Sequence, residues 1–227
     1  MIWYTKTMKF YHGSKYVIEQ PKQYGSNPFN DYGPSFYCTE DIEKAKSWAC
    51  KNDSVGVVNQ YSIRKDSFSA LKILDLTDKS EYGVLNWMAI LMHFRHLDKL
   101  FIEKNQNVLK WLEKYYIDVT QYDLVIGFRA DDSYFRFPIS FINNDLSIED
   151  LKEVYMLGNL GTQYAFMSNK AINLLKYELS FECETSFLGK HLATIIEANK
   201  EFDKMLSKPR DINKTYIMDL MRADNEN

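Results

Sequence analysis

The sequence predicts an α+β fold, a split antiparallel β-sheet with flanking helices, on three observations. Strand-length apolar runs are interrupted by helical segments without the regular strand–helix–strand period of a parallel sheet. No G-x-G-x-x-G follows a strand, which excludes a Rossmann-type phosphate loop. At 227 residues with 45% hydrophobic side chains, the chain can bury a sizeable core as one main domain with appendages.

In chain order, residues 8–12 read as a short strand bounded by Gly13 and Ser14. Residues 21–35 hold Pro21, Gly25, Asn27, Pro28, Asn30, Asp31, Gly33 and Pro34, turn chemistry throughout, and read as a loop over a cleft. Residues 39–49 predict a helix with Thr39 as N-cap, acids in the first turn, and Ile42, Ala45, Trp48 and Ala49 on one face. Strands follow at 55–63 and 71–76, and 82–116 is helical with a break near 96–98. The continuous apolar run 122–128 is a central strand. Ser147 to Asp150 form a capping box for a helix to Leu157 that Gly158 stops. Residues 163–166 and 179–183 are strands, Ser168 caps a short helix, and a helix over 190–206 precedes a polar tail expected to fray.

Charge and cysteine usage narrow the function classes. The 28 Lys and Arg against 31 Asp and Glu leave a formal charge of −3 with no basic tract, which speaks against broad electrostatic binding to nucleic acid or an anionic membrane. Cys38, Cys50 and Cys183 lack metal-ligand spacing, and no leader segment is visible, so reduced thiols in a cytosol are expected. The longest apolar stretch, 87–92, is too short to span a bilayer. The 16 Tyr and 14 Phe exceed what an average core needs and suit either stacking of planar ligands or core filling.

Three places carry chemistry. His12, at a strand end, can donate from a ring nitrogen to a ligand hydroxyl, and Gly13 lets the backbone approach a ligand and offer it N–H and C=O. A half-buried histidine before a tight turn is the plain alternative. Tyr37 closes an aromatic pair just before the helix and can stack on a flat ligand. Arg129 after the central strand can grip a phosphate in a bidentate fork, while Asp131 or Asp132 can act as a base or stabilise positive charge. An Asp-capped turn with an internal Arg–Asp pair fits that segment equally well.

Phe10-Tyr11-His12-Gly13-Ser14 followed by Phe36-Tyr37-Cys38-Thr39-Glu40-Asp41 resembles the start of the ADP-ribosyltransferase superfamily, and four segments in order carry the resemblance to one family in it: the first of these, Asp31-Tyr32-Gly33 with the second and Ala45/Trp48-Ala49, Gly127-Phe128-Arg129-Ala130-Asp131-Asp132-Ser133-Tyr134-Phe135, and Gly158-Asn159-Leu160-Gly161-Thr162-Gln163. Within it the chain resembles one uncharacterised bacterial family over roughly residues 8 to 180. The resemblance implies an ADP-ribosyltransferase-like sheet over residues 1–186, with 187–227 a helical appendage and tail. It implies NAD as substrate, with His12, Gly13, Ser14 and Arg129 binding it and Tyr37 stacking on nicotinamide. Pro34-Ser35 stands where relatives commonly carry Gly-x-Gly.

Gln163 stands where the superfamily has its catalytic Glu. An amide keeps the hydrogen bond to the ribose 2′-hydroxyl but not the charge, a loss of a few kcal/mol or roughly 10²-fold in rate. Three outcomes follow: Asp131, Asp132 or Glu40 supplies the acid, the enzyme is slow or relies on a partner, or the site only binds. The implied function is ADP-ribosyl transfer to a protein or nucleic-acid target, or NAD glycohydrolysis, by a cytoplasmic toxin of a bacterial toxin–antitoxin or conflict system with an antitoxin protein as partner. The alternative is a catalytically silent NAD or nucleotide binder, or a protein-interaction domain using the same cleft.

Overall fold

The protein is seen in a computed structural model that describes residues 7–23, 27–50, 54–77, 83–130, 135–157 and 161–226. It is α+β, with two sheets. The first is antiparallel throughout, β1 (Thr7–Ser14), β3 (Val57–Arg64) and β7 (Lys176–Glu182) lying in the order β1-β3-β7. The second runs β2-β6-β5-β4, built from β2 (Phe36–Cys38), β4 (Ile73–Asp75), β5 (Leu124–Phe128) and β6 (Thr162–Phe166). An isolated bridge joins them: Tyr11 N–H donates to Thr39 O at 2.7 Å and Thr39 N–H to Tyr11 O at 2.9 Å.

The expectation of a wholly antiparallel sheet needs correction at β4. It pairs parallel with β5. A parallel pair needs a long crossover, and here helices α2 (Val84–Phe94), α3 (Lys99–Lys104) and α4 (Gln106–Leu112) supply it. The helical run was legible; what it does to strand direction follows only once β4 and β5 are known to be neighbours.

Strand β1 does not stop at Gly13, which pairs with Val58, as Ser14 does with Val57. Helix α1 (Ile42–Ala49) packs so closely that a Cβ on Gly13 would lie 2.1 Å from Ala45 O. The glycine is a close-approach residue, not a strand terminator. The α1 cap is Asp41, whose carboxylate accepts from Glu43 N and Lys44 N at 2.8 and 3.3 Å. Thr39, expected in that role, is spent on the bridge to Tyr11 and on donating its hydroxyl to Thr162 O at 3.2 Å.

The remaining helices are α5 (Arg136–Ile142), α6 (Ile148–Leu157), α7 (Asn169–Ile172), α8 (Phe187–Leu206) and α9 (Ile217–Glu226). Ser147 Oγ accepts from Asp150 N at 3.0 Å and Ser168 Oγ from Ala171 N at 3.1 Å, as their sequences predict. The stop expected at Gly158 lies outside the described residues. Helix α5 went unforeseen, although Phe137, Phe141 and Ile142 are fully buried at helical spacing.

The main core covers one face of the mixed sheet and joins Tyr32, Trp87, Phe137, Phe202 and Ile217. A second cluster fills the other face, where Phe10, Tyr61, Phe36 and Phe166 meet. A third lies under α1 with Val58, Cys50, Cys183 and Phe187. Among the described residues no helix is long and apolar enough to cross a membrane.

The tail expected to fray is ordered as α9. Ile217 is buried in the main core, and Trp111 Nε1 donates to Asp224 Oδ2 at 2.9 Å. We expect Ile217→Ala to cost about 2–4 kcal/mol in urea unfolding, the range for a truncated core Ile. A frayed tail would leave the midpoint unchanged.

Candidate functional site

Adjacent strands β2 and β6 bring two of the sequence-predicted residues to one surface. Tyr37 lies opposite Ala165, and since side chains alternate along a strand, Gln163 shares its face. The loop over 27–35 folds onto this face. Gly33, at φ 77°, makes a turn other residues rarely adopt, with its N–H on Asn30 O at 2.9 Å. The Tyr37 hydroxyl fastens the loop by donating to Gly33 O at 2.7 Å and accepting from Tyr32 N at 3.1 Å. Burial pushes the Tyr37 phenol well up in pKa, so it stays a donor across the physiological range.

Beneath the loop lies a buried polar network. Gln163, 4% exposed, donates from Nε2 to Asp31 Oδ2 at 2.7 Å and to Phe128 O at 3.3 Å. Asp31, 6% exposed, also accepts from Ala130 N at 2.8 Å, and its other oxygen lies 3.3 Å from Arg95 Nε. The Tyr32 hydroxyl donates to Phe128 O at 2.7 Å and accepts from Trp87 Nε1 at 3.0 Å. Burial, then the charge of Asp31, raise the Tyr32 pKa. Gly127 makes room: a Cβ there would be 2.2 Å from the Tyr32 oxygen.

His12 sits at the split between the sheets, stacked on Phe36 at 4.5 Å and 28°. Its Nδ1 lies 2.6 Å from Tyr37 O. A carbonyl only accepts, so Nδ1 carries the hydrogen and Nε2 is left as an acceptor in the neutral ring. Burial lowers the His12 pKa more than this hydrogen bond raises it. With Nδ1 so engaged, the neutral ring offers Nε2 as an acceptor and not as the donor expected from the sequence. Its ring is on the Phe36 side of β2, whereas Tyr37 and Gln163 are on the other, so His12 reaches Tyr37 only through the backbone.

The other candidates divide. Gly13 faces α1. Ser14 Oγ donates to Tyr16 O and accepts from Asn59 Nδ2 at 3.0 Å. Asn59, fully buried, also donates to His12 O at 3.3 Å and accepts from Ile18 N at 2.7 Å, and so holds the chain leaving β1. The Arg129 guanidinium lies over Trp48, 4.5 Å from the ring centre. Asp131 and Asp132 lie outside the described residues. Glu40 accepts from the Tyr164 hydroxyl at 2.7 Å, and Tyr164 faces away from Gln163. Among the described residues the carboxylate that meets Gln163 is Asp31. Sequence reading placed it in a turn-rich loop and missed its role, as it missed Arg95 and Asn59. The only local signal was its place beside Tyr32-Gly33.

Two expectations follow. With its pKa lowered by folding, His12 is neutral in the native state while the unfolded chain takes up a proton below about pH 6.5. Stability associated with His12 is thus present above that pH and lost below it. Going from about pH 7.5 to 5, the wild type should lose more melting temperature than His12→Gln, which stays uncharged; equal losses would refute a buried neutral ring. Gln163→Glu would set a new carboxyl against Asp31. The new carboxyl should hold its proton to higher pH, so the variant should match wild type near pH 5 and lose roughly 2–4 kcal/mol by pH 8. Thermal unfolding at both pH values reads this directly.

The model of the family described as "Protein of unknown function (DUF3990)" matches residues 8–177. No curated protein and no solved structure matches the chain.

Proposed function

The chain belongs to the DUF3990 family, and we propose that it is an NAD-dependent ADP-ribosyltransferase working at the edge of β2, with Tyr37 and Gln163 on one face of the sheet and His12 on the other. One observation supports this most: Tyr37 and Gln163 share a face of neighbouring strands, with the Asp31 carboxylate 2.7 Å behind the Gln163 amide. The placement of His12 on β1 and of Tyr37 on β2, beside the bridge that joins the two sheets, also supports the reading.

In this reading nicotinamide stacks on Tyr37, whose ring is fixed by the two bonds of its hydroxyl. A dinucleotide runs across the edge of β2, so that a ribose hydroxyl donates to His12 Nε2. Gln163 has given its N–H groups to Asp31 and Phe128 O. It therefore presents its carbonyl oxygen to the other ribose. As the glycosidic bond breaks, the bonding pair leaves with nicotinamide and positive charge grows on the ribose; the Asp31 charge polarises the amide toward it. Arg95, 3.3 Å from Asp31, offsets part of that charge. Asp31 is a positioning residue here, and the reaction should be slow, about 10²-fold below a site with a carboxylate at Gln163. Protein or nucleic acid is the acceptor, and the setting is a bacterial toxin–antitoxin or conflict system in the cytoplasm, both on the strength of the sequence resemblance.

A silent NAD or nucleotide binder is the second reading, favoured by the saturation of the Gln163 amide within the protein. Incubation with labelled NAD, alone and with cell lysate, separates the two. We expect nicotinamide release, with label on a macromolecule in the lysate. Asp31→Asn should lower kcat at least about tenfold with KM changed less than about threefold. Binding without release would leave the silent reading, and no binding would sink both.

A further inference from the structure

Two thiols distant in the chain lie together under α1. Cys50, the residue that ends the helix, gives its N–H to Lys46 O at 3.0 Å. Cys183 follows β7 and is anchored by its own N–H on Gly56 O at 2.8 Å. Both are buried, at 1% and 4% exposure, in the core cluster of Ala45, Ala49 and Val58. Each sulfur reaches into the other's segment. Cys183 Sγ lies 3.4 Å from Lys46 O in the last turn of α1, and Cys50 Sγ lies 3.9 Å from Glu184 O, which is also 3.8 Å from Cys183 Sγ. The two thiols hydrogen-bond with each other as well. Cys38 belongs to a different core cluster.

The surroundings tolerate the loss of both sulfur hydrogens. A buried carbonyl stripped of its donor is costly, yet Lys46 O keeps the Cys50 N–H, and Glu184 O keeps the Phe187 N–H at 3.0 Å. A bond between the sulfurs therefore strands neither acceptor. Burial, then the neighbouring Cys50 thiol, push the Cys183 thiol up to about 12. It stays protonated at neutral pH, which makes exchange slow.

We propose that Cys50 and Cys183 form a reversible disulfide in the folded protein when a low-molecular-weight disulfide is present as oxidant. One protein thiol loses its proton and attacks a sulfur of the oxidant, expelling a small thiolate; the second, deprotonated in turn, attacks the mixed disulfide and expels the other. Two S–H bonds give way to one S–S bond, two electrons pass to the oxidant, and the two protons end on two small thiols. Cys50 lies within residues 8–177, matched by the family model, and Cys183 lies beyond them. The bond thus fastens the family domain to the start of α8, where Phe187 shares the same cluster. It is independent of the NAD reading.

Incubation of the native chain with oxidised glutathione tests it on the wild type, Cys38→Ala and Cys50→Ser, followed by denaturation, maleimide blocking of free thiols and mass analysis of unreduced peptides. The wild type should fall from its three free cysteines to one, with the Cys50 and Cys183 peptides joined. Its melting temperature should rise by at least about 4 °C, and dithiothreitol should reverse both changes. Cys38→Ala should form the same link and Cys50→Ser none. Three thiols that stay free, glutathione adducts without a cross-link, a link through Cys38, or one that forms only after unfolding in urea each overturn the proposal. A link that leaves the melting temperature unchanged overturns the fastening.

Discussion

The Asp31 carboxylate ties the loop over 27–35 to the ends of two neighbouring strands and to the end of a helix. It accepts from Gln163 on β6 and from Ala130 just beyond β5, and it faces Arg95 at the C-terminal end of α2. A buried carboxylate is costly unless each oxygen is answered. The strand ends, the loop over 27–35 and the end of α2 must therefore reach their positions together. The neighbouring Tyr32 follows the same logic, its hydroxyl satisfied by Phe128 O and Trp87 because Gly127 lacks a side chain.

This arrangement also decides what Gln163 can offer. An amide in water has two donors and one acceptor to give; here the donors point inward to Asp31 and Phe128 O. His12 is oriented the same way, with Nδ1 given to Tyr37 O and Nε2 left to accept. Both side chains are thus held in one orientation by groups of the protein itself.

What could be read from sequence depended on how local the cause was. Helix α1 was legible because its apolar face and acidic start lie within a few residues, yet its cap moved from Thr39 to Asp41 because Thr39 is held by Tyr11 and Thr162. Gly13 looked like a stop but is a contact surface for α1, which no neighbour in sequence reveals. Helix α9 was hidden by its polar composition, although Ile217, Leu220 and Met221 fall at helical spacing and pack on the core. Tyr37 and Gln163, singled out by the order of segments, do meet on one sheet face; Asp31, Arg95 and Asn59 gave no signal, because a buried polar residue is recognised by partners far away in the chain.

Those separations bear on how the protein comes to be folded. Asp31 meets partners 99 and 132 residues further along, and no local turn brings them close. Closing such long loops is entropically unfavourable until many contacts form at once, so non-local centres assemble late and slowly. Partly folded chains would hold native-like helices while Asp31 still faced water and Gln163 had no fixed orientation. By the reverse path these contacts are the first to be given up, so the amide of Ala130, held by Asp31, should exchange its hydrogen through partial openings that leave the helices intact.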